Sequence, residues 1–218
     1  MSTTGSLAND GNVYLDLNYS GGGSSLTLAG ALTNRGSLDI YSGDRSDKVM
    51  TGTLSNTGTI VVAAMGTGKA LLDVTDSAGF GAAGVLSGTV YLYRDSAIEF
   101  ANGQITSVAG QLTITGNSAF LEDSTALGSN SALTGLTNVA GFLDLSTAAP
   151  VSTTGALVNS GTVFLDPDPG QGGSSLTLAG ALTNQQRRAA HRQHCAIVIE
   201  HGLDNGAHQY GADLFLRL

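Results

Sequence analysis

The chain has 218 residues, with 31 glycines, no tryptophan, one cysteine and only 12% charged residues. Its hydrophobic fraction of 41% allows a buried core, and no run reaches the ~18 apolar residues of a membrane helix. Residues 1–184 carry 5 basic and 14 acidic side chains, a net charge of −9, which excludes the basic stripe that nucleic acid or an anionic lipid surface requires.

The N-terminus begins inside a repeat. It reads MSTTGSLANDG, which has neither the basic nor the apolar region of a signal peptide. The segment STTGSLAND resembles STTGALVNS at 152–160. We therefore expect the chain to be a fragment of a longer parent protein.

A nine-residue pattern, Leu-x-Asn-x-Gly-x-apolar-x-apolar, recurs along the chain. Its clear copies are LANDGNVYL, LTNRGSLDI, LSNTGTIVV and LVNSGTVFL, and they begin at Leu7, Leu32, Leu54 and Leu157. Looser copies begin at Leu86, Leu112 and Leu136, and with Leu182 the lead leucines lie 21 to 32 residues apart. A repeat of this length is one supersecondary unit that buries its apolar face against its neighbours.

The runs within each repeat have the alternation of β-strands. In VYLDL, TIVV, TVYLY, QLTIT and TVFLD, apolar residues alternate with others, while Gly and Asn punctuate the runs. Short strands without crossover helices predict an all-β fold, a right-handed parallel β-helix, with an antiparallel sandwich as the alternative. We expect Leu7, Leu32, Leu54, Leu136 and Leu157 at equivalent core positions, and the motif asparagines stacked as an amide ladder.

A longer duplication overlies the short repeat. Residues 3–34 align without gaps to residues 153–184, with 22 identities in 32 positions. The offset of 150 residues corresponds to six coils of about 25 residues each. We therefore predict that residues 1–184 form the β-helix and grew by duplication of a block of coils.

Residues 185–218 have a different composition and are predicted to be a frameshifted copy of the repeat, unstructured or loosely helical. All four histidines, the cysteine and four of the nine basic residues lie there. Codons chosen for residues 184–215 and read one base later can encode the repeat-like strings LTNTG and VSTTG, which the gene sequence can check. The His and Cys residues are accordingly not predicted to bind metal; they are His191, His194, Cys195, His201 and His208.

No catalytic, cofactor or metal site is predicted in the repeat region. It contains no histidine, which removes Ser-His-Asp chemistry, and GTGKA at 66–70 lacks the spacing of a phosphate-binding loop. The pairs Asp44/Asp47 and Asp166/Asp168 have the oxygen chemistry of a Ca²⁺ site. They fall in turns, where Asp is common, so we predict solvated turn residues.

The best candidate for a binding surface is a column of outward aromatic residues. If Val13, Leu38, Val90 and Val163 point inward, their neighbours point outward. Those neighbours include Tyr14, Tyr91 and Phe164, with Tyr93 beside Tyr91. Exposed aromatic rings on a flat sheet can stack on sugar rings or on a protein partner, so these four residues are the predicted binding residues.

The repeats GTLSNTGTIVV (52–62), GALVNSGTVFL (155–165) and GALTNRGSLDI (30–40) resemble those of bacterial autotransporter and filamentous-haemagglutinin-like adhesin passengers. The resemblance implies a β-helix exported to the cell surface, a structural and adhesive role without catalysis, and host or matrix glycans or proteins as partners. We do not expect this segment to insert into a membrane. We do expect that it can associate through open sheet edges.

Two alternatives remain. One is a β-helical polysaccharide lyase or hydrolase, which would need three or more acidic residues with Lys or Arg at one level of the outer face, a cluster that the sequence does not reveal. The other is a truncated gene product without independent function.

Overall fold

The protein folds as a parallel β-solenoid of about eight turns, with about 23 residues in each turn. This description comes from a computed structural model and covers residues 1–17, 21–168, 170–185 and 196–199, the last four as backbone only. Each complete coil contributes one strand to each of three faces. The predicted parallel β-helical fold class is therefore confirmed, and the antiparallel sandwich is wrong because every paired strand runs parallel to its neighbour.

The first face contains one strand from each coil: β1 (Ser2–Thr3), β4 (Ser25–Leu28), β7 (Asp47–Thr51), β10 (Ala70–Ser77), β13 (Ser96–Asn102), β16 (Ala119–Asp123), β19 (Pro150–Thr153) and β22 (Ser175–Leu178). The second face contains β2 (Leu7–Asn9), β5 (Leu32–Asn34), β8 (Leu54–Asn56), β11 (Val85–Leu86), β14 (Ser107–Val108), β17 (Asn138–Val139), β20 (Leu157–Asn159) and β23 (Leu182–Asn184). The third face contains β3 (Asn12–Leu15), β6 (Ser37–Ser42), β9 (Thr59–Ala64), β12 (Thr89–Tyr93), β15 (Gln111–Thr115), β18 (Phe142–Ser146), β21 (Thr162–Leu165) and β24 (Ala196–Ile199). One short 3₁₀ helix, Ser131–Leu133, lies between β16 and β17.

The core is built from apolar residues that stack on their equivalents in the next coil. On the third face, Leu38, Ile60 and Val90 are in register and fully buried. A second inward column includes Ile40 and Val62, which are also fully buried. This is the inward parity predicted from the alternating strands, and it fixes which side chains face solvent.

The second face is interrupted between β8 and β11, so it forms one three-stranded and one five-stranded sheet. The loop between Ser77 and Val85 lies at the break and inserts Phe80, which is 1% exposed, into the core. Phe80 packs edge-on against Phe100, with ring centroids 5.7 Å apart. The Phe80 carbonyl accepts a hydrogen bond from the Asn56 amide, so the loop takes over pairing that a strand supplies elsewhere.

The clear motif copies are in register, and the loose copies are not. Leu32 pairs with both Leu7 and Leu54, and Leu157 pairs with Leu182. Leu86 is wrong as a lead leucine, since the register through β14 and β17 aligns it with Asn159.

Two other predicted lead leucines are also misplaced. Leu112 belongs to a third-face strand, where it pairs with Val90. Leu136 is buried but lies ahead of β17, outside any strand. The physical reason is the same in each case: a buried leucine satisfies several inward positions, so its presence alone does not define the register.

The motif asparagines form the predicted amide ladder. Asn9 Nδ2 donates to Asn34 Oδ1 at 2.7 Å, and Asn34 Nδ2 donates to Asn56 Oδ1 at 2.8 Å. Asn159 repeats the contact with Asn184 at 3.1 Å. The amides also donate to backbone carbonyls of the following strands, such as Thr59, so that buried polar groups are satisfied. Between the two ladder segments the position is apolar, occupied by Leu86, Val108 and Val139.

The motif glycines form a second column, and close coil contact explains why they must be glycine. A Cβ on Gly36 would overlap the carbonyl oxygen of Gly11 in the coil before it. The same overlap, each time with the preceding glycine, would arise at Gly58, Gly110, Gly141 and Gly161. The L-x-N-x-G pattern therefore records two stacking contacts at one corner, an amide contact and a backbone contact.

The expectation for the tail falls largely outside the described residues. The described exception is β24, whose four residues pair in parallel with β21 rather than remaining unstructured or helical. The sequence Ala-Ile-Val-Ile favours a strand, and β21 would otherwise present an unpaired edge.

Candidate functional site

The predicted aromatic residues lie on the outer side of the third face, but they do not form a continuous surface. Tyr14, Tyr91 and Phe164 occupy one outward column and lie three coils apart, about 14 Å at the strand spacing of about 4.8 Å. Asp39, Val61, Thr113 and Asp144 fill the positions between them. Tyr93 lies two residues along the strand from Tyr91.

The best-formed aromatic feature is the tyrosine patch, defined by Tyr91, Tyr93, Gln111 and Asp144. The two tyrosine rings are nearly parallel, with centroids 5.9 Å apart and an interplanar angle of 10°. Gln111 Nε2 donates to the Tyr91 hydroxyl at 3.2 Å, which fixes the orientation of that ring. The rings are half-buried, so the patch is a preformed and only partly solvated surface.

Burial and nearby charge perturb two groups of the tyrosine patch. Burial raises the pKa of the Asp144 carboxyl, and Asp168 and Asp166 raise it further, while a hydrogen bond from Ser146 opposes the shift. Burial also raises the pKa of the Tyr93 hydroxyl, with contributions from Tyr91 and Asp144. The Tyr93 hydroxyl therefore remains protonated and able to donate a hydrogen bond throughout the physiological range.

The other two predicted aromatic positions differ from the patch. Phe164 packs edge-on against Phe142 with centroids 5.2 Å apart, so each ring covers part of the other. Tyr14 is 45% exposed, in coil 1. Of the four predicted binding residues, only Tyr91 and Tyr93 share one local surface.

The outer side of the first face carries a charged feature that the sequence analysis missed. Asp73, Glu99 and Glu122 are in register on three successive strands. Lys48 Nζ lies 2.8 Å from Asp73 Oδ2, and Lys69 Nζ lies 3.3 Å from Glu122 Oε1. We call these five residues the acidic row. The row spans three successive coils, so it is not the cluster at a single level of the outer face that a polysaccharide-cleaving enzyme was expected to need.

The three carboxylates of the acidic row have different environments. Glu122 is fully buried, and its Oε2 accepts a hydrogen bond from the Gly128 amide at 2.7 Å. Glu99 lies between the other two and has no ion-pair partner among the described residues. Burial raises the pKa of Glu99, as do Asp73 and Glu122, whereas Lys48 and Lys69 oppose the shift. In the acidic row, Asp73 and Glu122 are therefore each paired with a lysine, and Glu99 between them is not.

The aspartates predicted to be solvated turn residues divide into two kinds. Asp44 and Asp168 are exposed as expected. Asp47 and Asp166 are buried, at 0% and 6% exposure, which corrects that prediction. Asp47 begins strand β7, and both carboxylates accept backbone hydrogen bonds from a neighbouring coil, from Ser24 to Asp47 and from Thr147 to Asp166.

The remaining sequence candidates give no site in the described part of the chain. Lys69 of GTGKA is held by Glu122. No group of three or more His, Cys, Asp or Glu side chains within 1–17, 21–168 and 170–185 is arranged to hold a metal ion. The five His and Cys residues of the tail lie outside the described residues. No helix among the described residues has the length and hydropathy to cross a membrane.

Comparison with protein-family models, with characterised proteins and with solved structures finds no match to this chain. The protein is therefore assigned to a class by its fold alone, as a parallel β-solenoid repeat protein.

Proposed function

We propose that the chain is a structural and adhesive repeat segment of an exported bacterial surface protein, and that the tyrosine patch is its binding surface. The observation that carries the binding proposal is the parallel pair Tyr91 and Tyr93 on the third face. The exported context rests on the resemblance of the L-x-N-x-G repeats to adhesin passengers. A solenoid with a continuous core suits such a role, since it presents an outer face along a rigid stack.

The chemistry of the tyrosine patch fits a glycan. Two nearly parallel aromatic rings, one of them held by Gln111, offer apolar surface for a sugar ring at low cost in side-chain entropy. The Tyr93 hydroxyl on β12 and the Asp144 carboxyl on β18 supply hydrogen-bonding groups on the same face. The net charge of −9 over residues 1–184 favours neutral or cationic glycans over anionic ones.

The test compares two aromatic pairs on the same face. We expect Tyr91→Ala with Tyr93→Ala to weaken binding to neutral glycans on an array by about 10-fold or more, because both stacking surfaces are removed. Phe142→Ala with Phe164→Ala is the matched control, since that pair is packed edge-on instead of side by side. Glycan binding that survives the tyrosine substitutions, or that both substituted pairs lose equally, would overturn the proposed surface.

The acidic row favours a second candidate, a polysaccharide-cleaving enzyme on the same fold. Glu99, with its raised pKa, has the property of a general acid, and Asp73 beside it is an ion-paired carboxylate. The opposing observation is that both lysines and two of the three carboxylates already pair with each other. We therefore place this candidate second and expect no release of reducing ends from pectins or neutral glycans.

Glu99→Gln separates the two interpretations of the acidic row. Since the pKa of folded Glu99 is raised above its ordinary value of 4.5, ionisation of Glu99 lowers the free energy of unfolding. This loss is absent below the ordinary value and complete above the folded pKa. A structural row therefore predicts that Glu99→Gln raises stability by about 0.5–1 kcal/mol at pH 7, and that the gain disappears in acid.

Glu122→Gln is the matched control for that experiment. It should lower stability at pH 7, because Glu122 is buried against Lys69 and the Gly128 amide. Denaturant unfolding at pH 7 and pH 4 measures both variants. A catalytic row predicts instead a measurable turnover in the unmodified chain that Glu99→Gln abolishes.

A further inference from the structure

One corner of the solenoid contains two carboxylates with unsatisfied buried oxygens. Asp47 opens the first-face strand of coil 3 and is fully buried. Asp16 follows the third-face strand of coil 1. Oδ2 of Asp47 and Oδ2 of Asp16 are both buried and have no hydrogen-bond partner. Buried anionic oxygens are costly unless a donor, a proton or a cation compensates them.

The pKa of the Asp47 carboxyl is raised, chiefly by burial. The charge of Asp16 raises the pKa of Asp47, beyond the increase that burial causes, and the amides of Ser24 and Gly23 oppose it. No described lysine or arginine pairs with either group: the ion pairs of the described residues join Arg35 to Asp10 and the two lysines to the acidic row. Neither carboxylate therefore has an ion-pair partner among the described residues, although Arg45 packs against the same glycine turn.

The duplicated copy of this corner shows what is missing. Asp166 is the equivalent of Asp16 at the offset of 150 residues, and both have positive φ, 50° and 58°. The carboxylate of Asp166 accepts hydrogen bonds from the Ser174 amide at 2.9 Å and the Ser174 hydroxyl at 2.8 Å, and from Thr147. In the first copy the amide of Ser24, the equivalent of Ser174, donates to Asp47 instead. Asp16 is therefore left without the donor that its counterpart uses.

The glycine turn at residues 21–23 lies beside both carboxylates. A Cβ built on Gly21 would lie 3.5 Å from both carboxylate oxygens of Asp16, so the carboxylate rests directly against the turn. Gly22 and Gly23 follow with positive φ, a conformation that favours glycine, and a Cβ on Gly22 would overlap the carbonyl oxygen of Arg45. Hard oxygen ligands from carboxylates, backbone carbonyls and water are those that Ca²⁺ prefers.

We propose that Asp16 and Asp47 bind one Ca²⁺ ion, which joins coil 1 to coil 3 across the glycine turn at residues 21–23. The ion supplies the positive charge for both Oδ2 atoms. Mg²⁺ is expected to substitute poorly, because Mg²⁺ requires a compact octahedral shell and keeps several waters, whereas Ca²⁺ accepts six to eight oxygen ligands in varied geometry. The proposal is independent of the tyrosine patch on the third face.

The experiment is calorimetric titration of the full chain, freed of metal by chelation, with CaCl₂ and separately with MgCl₂. We expect one Ca²⁺ per chain and a rise in Tm of about 5–10 °C at a Ca²⁺ concentration 100-fold above Kd. Asp47→Asn and Asp16→Asn should each abolish binding, while Asp10→Asn, at an exposed position, should leave it unchanged. Circular dichroism confirms that the variants retain β structure.

Three results would overturn the proposal. One is the absence of Ca²⁺ binding by the unmodified chain, a result that needs no variant. Another is Ca²⁺ binding retained by the doubly substituted chain, which would place the ion elsewhere. The third is a metal-free chain whose stability rises on acidification and does not change when Ca²⁺ is added at pH 7. That result would show that the two carboxylates share a proton.

Discussion

Gly110→Ala is expected to lower the free energy of unfolding by about 3 kcal/mol or more, although alanine is ordinarily the better residue at such a backbone conformation. The added Cβ would overlap the carbonyl oxygen of Gly88, and it would also lie 2.8 Å from the Gly88 nitrogen and 2.9 Å from the Ser87 carbonyl carbon. These are backbone atoms of the coil before it, which cannot rotate away. The two coils must therefore separate, and they lose strand pairing as they do so.

Gly11→Ala provides the matched control. Gly11 occupies the same motif position in coil 1, and no atom lies within 4 Å of its built Cβ. Alanine there is expected to be neutral, or stabilising by up to about 1 kcal/mol. Denaturant unfolding of both variants measures the difference, and equal effects at the two positions would show that coil stacking is not what selects glycine.

Leu32→Asp is expected to destabilise the solenoid by about 4 kcal/mol or more. Leu32 is fully buried between Leu7 and Leu54, its in-register partners in the coils on either side. The substitution combines a lost apolar side chain with an unpaired charge in an apolar column. A thermal or denaturant transition measures the loss.

Two controls separate burial from charge in that experiment. Leu127→Asp adds the same charge at a leucine that is 59% exposed and should change stability by less than about 0.5 kcal/mol. Leu32→Asn removes the same apolar contacts without adding a charge and should be damaging but milder than Leu32→Asp. If Leu32→Asp unfolds like the unmodified chain, the stacked-leucine core is refuted.

The sequence predicted the third face and its register well, because strict alternation on a long, half-buried strand leaves one choice of inward parity. Runs such as TVYLY and TIVV give that parity directly. The asparagine ladder was also predictable, since an isolated amide at a fixed position in each coil can pair only with its own copies.

The second face was harder to predict, for a physical reason. Leu86 fills the position that Asn56 and Asn159 fill in other coils, where Leu86, Val108 and Val139 stack on one another as a short apolar column. A motif search that begins at leucine therefore shifts register there. The insertion that carries Phe80 interrupts the face at the same place.

The acidic row and the corner at Asp16 and Asp47 were missed because both depend on contacts between coils. Asp73, Glu99 and Glu122 are 26 and 23 residues apart and belong to first-face strands without the L-x-N-x-G pattern. The available signal was the similar position of each acid in LLDVT, AIEFA and AFLED, which alignment of the first-face strands would have revealed. Asp47 was assigned to a solvated turn because the sequence does not show that it begins strand β7, where the Ser24 amide of the preceding coil donates to it.

The corner with the glycine column also determines where the chain can lengthen. In coils 1–7 the second-face and third-face strands are always separated by two residues. The corner between the first and second faces varies from 2 to 14 residues, and the corner between the third and first faces from 2 to 9. A foreign loop grafted between Asp123 and Asn138 would therefore be carried outside the stack, whereas one added residue beside Gly110 would break the vertical alignment of every coil above it. The solenoid thus has two corners that tolerate sequence diversification and one corner, with the glycine column, whose length is fixed.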